Sequence, residues 1–397
     1  MQKPLTEAAL SWRHQITAAV LLWLSGVGLR LTLLALPPVI PLIHRDLDIS
    51  ESAVGVLSSL PPLLFATAAI PGALLIARFG VLRTLVGGLV LTAVASALRG
   101  VAPGVLSLWF TTLFMAMGIA FMQPAMPPLV REWLPGRIGF GTAVYANGLL
   151  MGEVFSASLT IPLVLPLVDG SWRWSLVIWS LPVLATAGLV LLLAPRRPDV
   201  ATPMRPMFGR WWPDWRSPML WRLGLVLGGV NSLYLSTNAF LPDYLHHTDR
   251  SALISPALTA LNFWQLPATL VMAFFAARLT RRGWPFLVCG LVSLCSVAAM
   301  VLLPGLWVIG MAGLLGFINA LALILILALP PLLAAPEDVP RLSAGIFTIS
   351  YSTAVLIPIL GGLAWDLTGV PLAAFVPIGL SALLIIGLAP TLRFERE

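Results

Sequence analysis

Apolar runs of about 20 residues, the length at which an α-helix crosses the hydrocarbon layer of a bilayer, recur from one end of the chain to the other. Short clusters of proline, glycine and charge separate them. Twelve such runs are readable, at approximately 16–43, 53–77, 84–101, 105–130, 139–167, 173–194, 218–242, 254–277, 285–303, 306–333, 343–363 and 371–391. The first follows a polar start, MQKPLTEAALSWRHQ, that lacks a small-residue cleavage site, so it reads as a retained helix and not a signal peptide. The pattern predicts an all-α, multi-pass membrane protein of twelve spans.

Composition strengthens this reading. Of 397 residues, 59% are hydrophobic and 10% are charged, against about 25% charged in a soluble domain. A net charge of +7 raises the question of nucleic-acid binding, and the placement of the charges excludes it, because the basic residues lie in loops and form no aromatic-interleaved patch. With the N-terminus inside, Arg45, Arg99, Arg173 and Arg250 fall on the outer side, Arg30 falls within span one, and the other 18 of 23 basic residues are cytoplasmic. The expected topology places both termini in the cytoplasm, across the inner membrane of a bacterium. The longest polar interruption, 195–217, separates six spans from six, giving halves at 1–194 and 218–397 joined by a cytoplasmic linker. Trp211, Trp212 and Trp215 in this linker read as membrane-interface residues.

The two halves repeat one another. Leu36-Pro37 matches Leu241-Pro242, Ala77-Arg78 matches Ala277-Arg278, Pro127-Pro128-Leu129 matches Pro330-Pro331-Leu332, and Arg137-x-x-x-Gly141 matches Arg341-x-x-x-Gly345, at offsets between 200 and 205. Two pseudo-symmetric six-helix halves with a cavity between them are the expected architecture.

At these residues the chain resembles the major facilitator superfamily, and the loop ALLIARFGVLR (73–83) is similar to its G-x-x-x-D-R-x-G-x-x-R loop. The resemblance implies a gating role for Arg78, Gly80 and Arg83. Ala73 and Ala77 stand where the Gly and Asp are expected, so the charge–dipole latch attributed to that Asp lacks its acid here. A closer resemblance covers nearly the whole chain and points to the cyanate and 2-nitroimidazole transporter (CynX/NimT) family. It rests on Gly28-Leu29-Arg30, PPVIPLIHRDLDIS, AVGVLSSLPPLLF, SALRG, MPPLVREWLPGRIGFGTAVY, GSWRWSLVIWSLP and LGGLAWDLTG. Gln123-Pro124 and Glu153 depart from the pattern expected of that family.

Enzyme chemistry finds little support. Lys3 is the only lysine, so no G-K-[ST] phosphate loop exists; no G-x-S-x-G elbow occurs, and the four histidines form no H-E-x-x-H set. No cofactor or metal is expected. Two ionisable residues lie deep in spans, Arg30 in span one and Glu153 in span five, each roughly 20 Å from the cytoplasmic end at about 1.5 Å per residue. A charge at that depth needs a partner or a wet cavity. Arg30 is expected to present its planar donor fork to an anion or nitro group, and Glu153 to compete for Arg30 or carry a proton. A permanent Arg30–Glu153 bridge between spans one and five is the alternative. Arg99, at the outer end of span three, reads as a residue that snorkels to the interface.

Further pocket candidates are Gln123, Tyr145, Asn147, Asn231, Tyr234, Asn238, Asn262, Trp264, Gln265, Asn319 and Tyr351. The superfamily resemblance implies that spans one, four, seven and ten border the cavity. Gly148-x-x-x-Gly152 and Gly224-x-x-x-Gly228 read as close-packing motifs, and the proline pairs at 37–38, 61–62, 127–128 and 330–331 as bends. These readings predict a monomeric secondary transporter for a small molecule, with cyanate-like anions or nitro-heteroaromatics implied by the resemblance and protons as the coupling ion. A multidrug or metabolite exporter of the same fold and a non-transporting membrane receptor are the rival readings.

Overall fold

In a computed structural model the described residues are 12–47, 51–195 and 211–392, and among them all regular structure is helical. Residues 196–210, within the expected linker, lie outside the described residues. Eleven helices are long and apolar enough to cross a membrane. Span seven, the 30-residue helix Pro218–His247, is the twelfth; Asn231, Tyr234 and Asn238 interrupt its middle and lower its apolarity.

Prolines decide where spans break. Each ring displaces the helical bond to the carbonyl four residues earlier. Span one runs as Trp12–Leu34, a 3-10 turn Pro37–Val39 and a short helix Ile40–Leu47. Span four is interrupted at Gln123–Ala125 between Val105–Met122 and Met126–Trp133. Span five leaves α geometry for a π turn at Thr160–Val164, around Pro162. Span eight divides at Trp264, three residues ahead of Pro267, a break the sequence reading does not contain. Span ten ends in a separate turn, Pro330–Leu333. Not every proline breaks a span: Glu51–Phe79 stays one helix through Pro61, Pro62 and Pro71, so the bend expected at 61–62 does not break it, and spans six, seven and eleven stay helical through Pro182, Pro242 and Pro358.

Packing repeats between the halves. Span one lies on span five as span seven lies on span eleven, span three on four and six as span nine on ten and twelve, and span two on four as span eight on ten. The halves meet along two equivalent seams, span two against eleven and span five against eight. Glycines set the closest approaches. A methyl group on Gly26 or Gly148 would overlap the carbonyl oxygen of Tyr145 or Trp23, and one on Gly152 would lie 2.5 Å from that of Val27. In the second half Gly224 and Gly228 face side chains, with a methyl group 2.8 Å from Ile349 Cβ and from Thr353 Oγ1. The two GxxxG motifs therefore pack as expected, the first against backbone and the second against side chains.

Candidate substrate site

Arg30 comes four residues before the end of the first helix of span one, and the Leu34 break leaves it facing span five and the second half. Its Nε lies 3.5 Å from Glu153 Oε1, with both side chains largely buried at 20% and 15% exposure. Its Nη2 donates to Tyr351 Oη at 3.5 Å, and its Cζ lies 5.8 Å from the centre of the Phe65 ring. Both polar contacts are at the long limit for hydrogen bonding, so the guanidinium retains donor capacity for another acceptor. Phe65 and Tyr351 have ring centres 5.1 Å apart, and Phe347 stacks on Tyr351 at 6.3 Å. Arg30 thus sits beside an aromatic wall drawn from spans two and eleven.

Gln123, held in the 3-10 break of span four, donates through Nε2 to Tyr351 Oη at 3.0 Å. One tyrosine hydroxyl of the second half therefore receives donors from spans one and four of the first. Tyr234 Oη approaches Glu153 Oε2 at 3.4 Å and donates to Asn262 Oδ1 at 2.6 Å. Asn262 Nδ2 donates to Asn238 Oδ1 at 3.1 Å, and Asn238 Nδ2 returns to the Tyr234 carbonyl at 2.9 Å. This closed ring ties span seven to span eight and orients the Tyr234 hydroxyl beside Glu153. The cluster contains eight of the expected residues, Arg30, Gln123, Glu153, Tyr234, Asn238, Asn262, Gln265 and Tyr351, and Tyr145 lies within electrostatic reach of Tyr351.

Other candidates fasten seams or lie at the border of the cluster. Asn147 accepts from Trp23 Nε1 at 3.0 Å and donates to Thr269 Oγ1 at 2.7 Å, fastening the span five–eight seam. Asn231 donates to Ser350 Oγ at 2.8 Å, between spans seven and eleven. Gln265 is buried, with Nε2 3.5 Å from the Leu261 carbonyl of its own span, and its side chain also bonds the Tyr234 hydroxyl beside Glu153. Trp264 is half exposed and packs its indole on Gly313 of span ten. Tyr145 and Asn319 are buried, and Tyr145 Oη, Asn319 Oδ1 and Gln123 Oε1 find no protein hydrogen-bond partner.

In the 73–83 loop, Gly80 has φ +86°, a conformation that strains any residue with a Cβ, and it starts span three. Arg78 stacks over Phe79 at 5.4 Å, and Arg83 is exposed; neither pairs with an acid among the described residues. The bond that crosses between the halves at this end comes from Arg131, whose Nη1 donates to the Ala334 carbonyl at 2.5 Å. Among the described residues no group of histidine, cysteine and acidic side chains has metal-ligand spacing.

Arg99 requires a correction. It is fully buried and does not snorkel; its Nη2 donates to the Thr32 carbonyl at 2.7 Å and to Ser96 Oγ at 2.9 Å. The break in span one supplies the reason, since the last carbonyls of the helix ending at Leu34 are left without intrahelical partners. Phe65 and Phe347, absent from the sequence-derived candidates, have no signal in a chain where apolar residues fill every span. Arg131 did carry one, as an arginine beside the proline pair that recurs in both halves.

Comparison with known proteins accords with this geometry. The Major Facilitator Superfamily profile matches residues 22–331. The chain is 28% identical over 386 residues to the cyanate transport protein CynX of Escherichia coli (strain K12), covering 94% of this chain and 96% of that one. It is 29% identical over 244 residues to the 2-nitroimidazole transporter of the same organism, covering 60% and 59%. Among solved structures, the transporter FucP in its outward conformation superposes with a TM-score of 0.71 at 14% identity, covering 96% of this chain and 100% of that one. The human organic anion transporter MFSD10 gives 0.73 at 15%, covering 94% and 99%. These structures speak to the fold; the profile match speaks to descent. The chain belongs to the Major Facilitator Superfamily and is a multi-pass membrane transporter, not an enzyme.

Proposed function

We propose that the cluster around Arg30 is the substrate site of a secondary active transporter for a small anion or a compact nitro-heteroaromatic, cyanate-like or 2-nitroimidazole-like. The carrying observation is a guanidinium inside the bundle whose two polar contacts, to Glu153 in its own half and Tyr351 in the other, are both 3.5 Å long. A planar fork matches paired oxygen acceptors, and the Phe65 and Tyr351 rings beside it favour a flat ligand.

The residues divide the work of alternating access. Arg30 and Glu153 travel together in the first half, while Tyr351 and Tyr234 belong to the second. An anion that takes the Arg30 donors displaces the Tyr351 hydroxyl and loosens the link between span eleven and spans one and four. A proton on Glu153 removes the competing charge and leaves Arg30 to the substrate; loss of that proton restores competition and favours release. The cycle so described couples substrate to protons in a monomer and needs no nucleotide.

Thermal unfolding of the purified protein with cyanate and 2-nitroimidazole tests this, because ligand binding adds RT ln(1 + [L]/Kd) to stability. Stabilisation of the wild type that disappears in a folded Arg30→Gln variant supports the site. Equal stabilisation of both proteins places the ligand elsewhere and sinks the proposal.

A further inference from the structure

The seams between the halves differ at the arginine-rich end of the bundle. At the span two–eleven seam, Arg341 at the start of span eleven pairs with Asp338, Nε to Oδ1 at 2.8 Å. Its repeat counterpart at the span five–eight seam is Arg137, and the residue three before it is Leu134, which brings no acid. Arg137 is exposed and makes no ion pair among the described residues. A cavity of about 660 Å³ opens beside it, lined by Arg137 and Phe140 from span five, Ala273, Phe274 and Arg281 from span eight and its following turn, and Leu332 from the end of span ten. No carboxylate is among the described residues lining it. Arg281 has φ +66°, a left-handed conformation that is strained for arginine, and its Nη2 donates to the Leu332 carbonyl at 2.9 Å. Phe274 is 80% exposed in the span-eight helix, five residues before its end at Leu279 and so toward the membrane interior.

We infer that this cavity binds one anionic glycerophospholipid, its phosphate on the Arg137 and Arg281 guanidiniums and its acyl chains along Phe274 between spans five and eight. Charge and polarity both select this occupant. Two guanidiniums without acids attract a phosphate, and an exposed aromatic below them needs an apolar partner that a free anion does not bring. The cavity lies at the level where the spans leave the bilayer, where basic pockets between helices meet lipid headgroups. The lipid bridges the halves, since Arg137 belongs to the first and Arg281 to the second. The opposite seam offers no equivalent, because Asp338 already occupies Arg341.

Native mass spectrometry of the full chain in detergent, with phosphatidylglycerol or phosphatidylcholine added, tests the inference. The wild type is expected to retain one phosphatidylglycerol in preference to phosphatidylcholine. The Arg137→Gln/Arg281→Gln variant should weaken retention by about thirtyfold, and Phe274→Ser should weaken it without changing charge. A charge-matched Arg78→Gln/Arg83→Gln variant should retain lipid as the wild type does. Unfolding temperature measured in phosphatidylcholine verifies that each variant is folded. Unchanged retention in the first variant overturns the site, as does equal loss in the charge-matched control, which signals diffuse surface attraction. Stabilisation by soluble glycerol phosphate equal to that by the lipid also overturns it, since the acyl chains would then contribute nothing.

Discussion

Two arginines inside the first half, Arg30 and Arg99, occupy opposite kinds of environment. Arg30 keeps 20% of its side chain exposed and reaches Glu153 and Tyr351 at 3.5 Å. Arg99 is wholly enclosed and donates at 2.7 Å to the Thr32 carbonyl and at 2.9 Å to Ser96. It stands in the last turn of span three, which ends at Gly100, and its acceptor is in the last turn of the helix ending at Leu34. Both helix ends present the negative pole of a helix dipole, and the one ending at Leu34 leaves carbonyls without intrahelical partners, so a cation is stabilised there without an acid. Long contacts leave Arg30 with donors for the substrate proposed above, while short ones make Arg99 a structural fastener. The two roles are linked here, because Thr32 is two residues from Arg30, and Arg99 fixes the end of the helix that presents it.

The largest expected effect comes from removing the fastener. Arg99→Ala deletes two short hydrogen bonds and leaves a cavity, a loss of about 2–5 kcal/mol, seen as a fall in unfolding temperature and in monodisperse yield. An Arg99→Ala protein of wild-type stability that fails to transport would erase the distinction, since Arg99 would then act as Arg30 does.

Arg30→Gln should abolish transport while leaving an assembled protein, but with reduced stability because Glu153 loses its cation, a penalty that protonation of Glu153 brings well below the roughly 3–5 kcal/mol of an unpaired buried charge. The Arg30→Gln/Glu153→Gln double variant is the sharper form of the test. Its stability should recover towards wild type and its transport should not, as read from calorimetry and uptake into proteoliposomes. Recovery of both would reduce the pair to a helix-to-helix tie.

Glu153→Gln alone should preserve substrate exchange between equal pools and lose accumulation driven by a pH gradient. Persistence of gradient-driven uptake would remove the proton role. Smallest is Tyr351→Phe, which keeps the aromatic wall and deletes the hydroxyl shared by Arg30 and Gln123. A loss of about 0.5–1.5 kcal/mol in stability is expected, and no change would mean that this link between the halves contributes little.

The spans and the repeat were legible because apolar runs and proline pairs are local features of the chain. Arg30 and Glu153 were legible for a related reason, as charges in runs where charge is costly. Arg99 was not, because its burial depends on span one breaking at Leu34 and offering a carbonyl 67 residues away in sequence. Asn147 and Asn231 look like Asn238 and Asn262 as residue types, yet the first two fasten seams and the second two build the ring beside Glu153. Only the partner across the interface separates those roles, and sequence spacing does not state it.

The glycines of span five bear on how this protein can change over generations. At Gly148 and Gly152 an added methyl group meets a main-chain oxygen of span one, which no substitution elsewhere can trim away. At Gly224 and Gly228 the obstacle is the side chain of Ile349 or Thr353, which a second mutation can shorten. The approach of span one to span five is therefore fixed at these glycines by main chain, while that of span seven to span eleven can be altered by paired mutations.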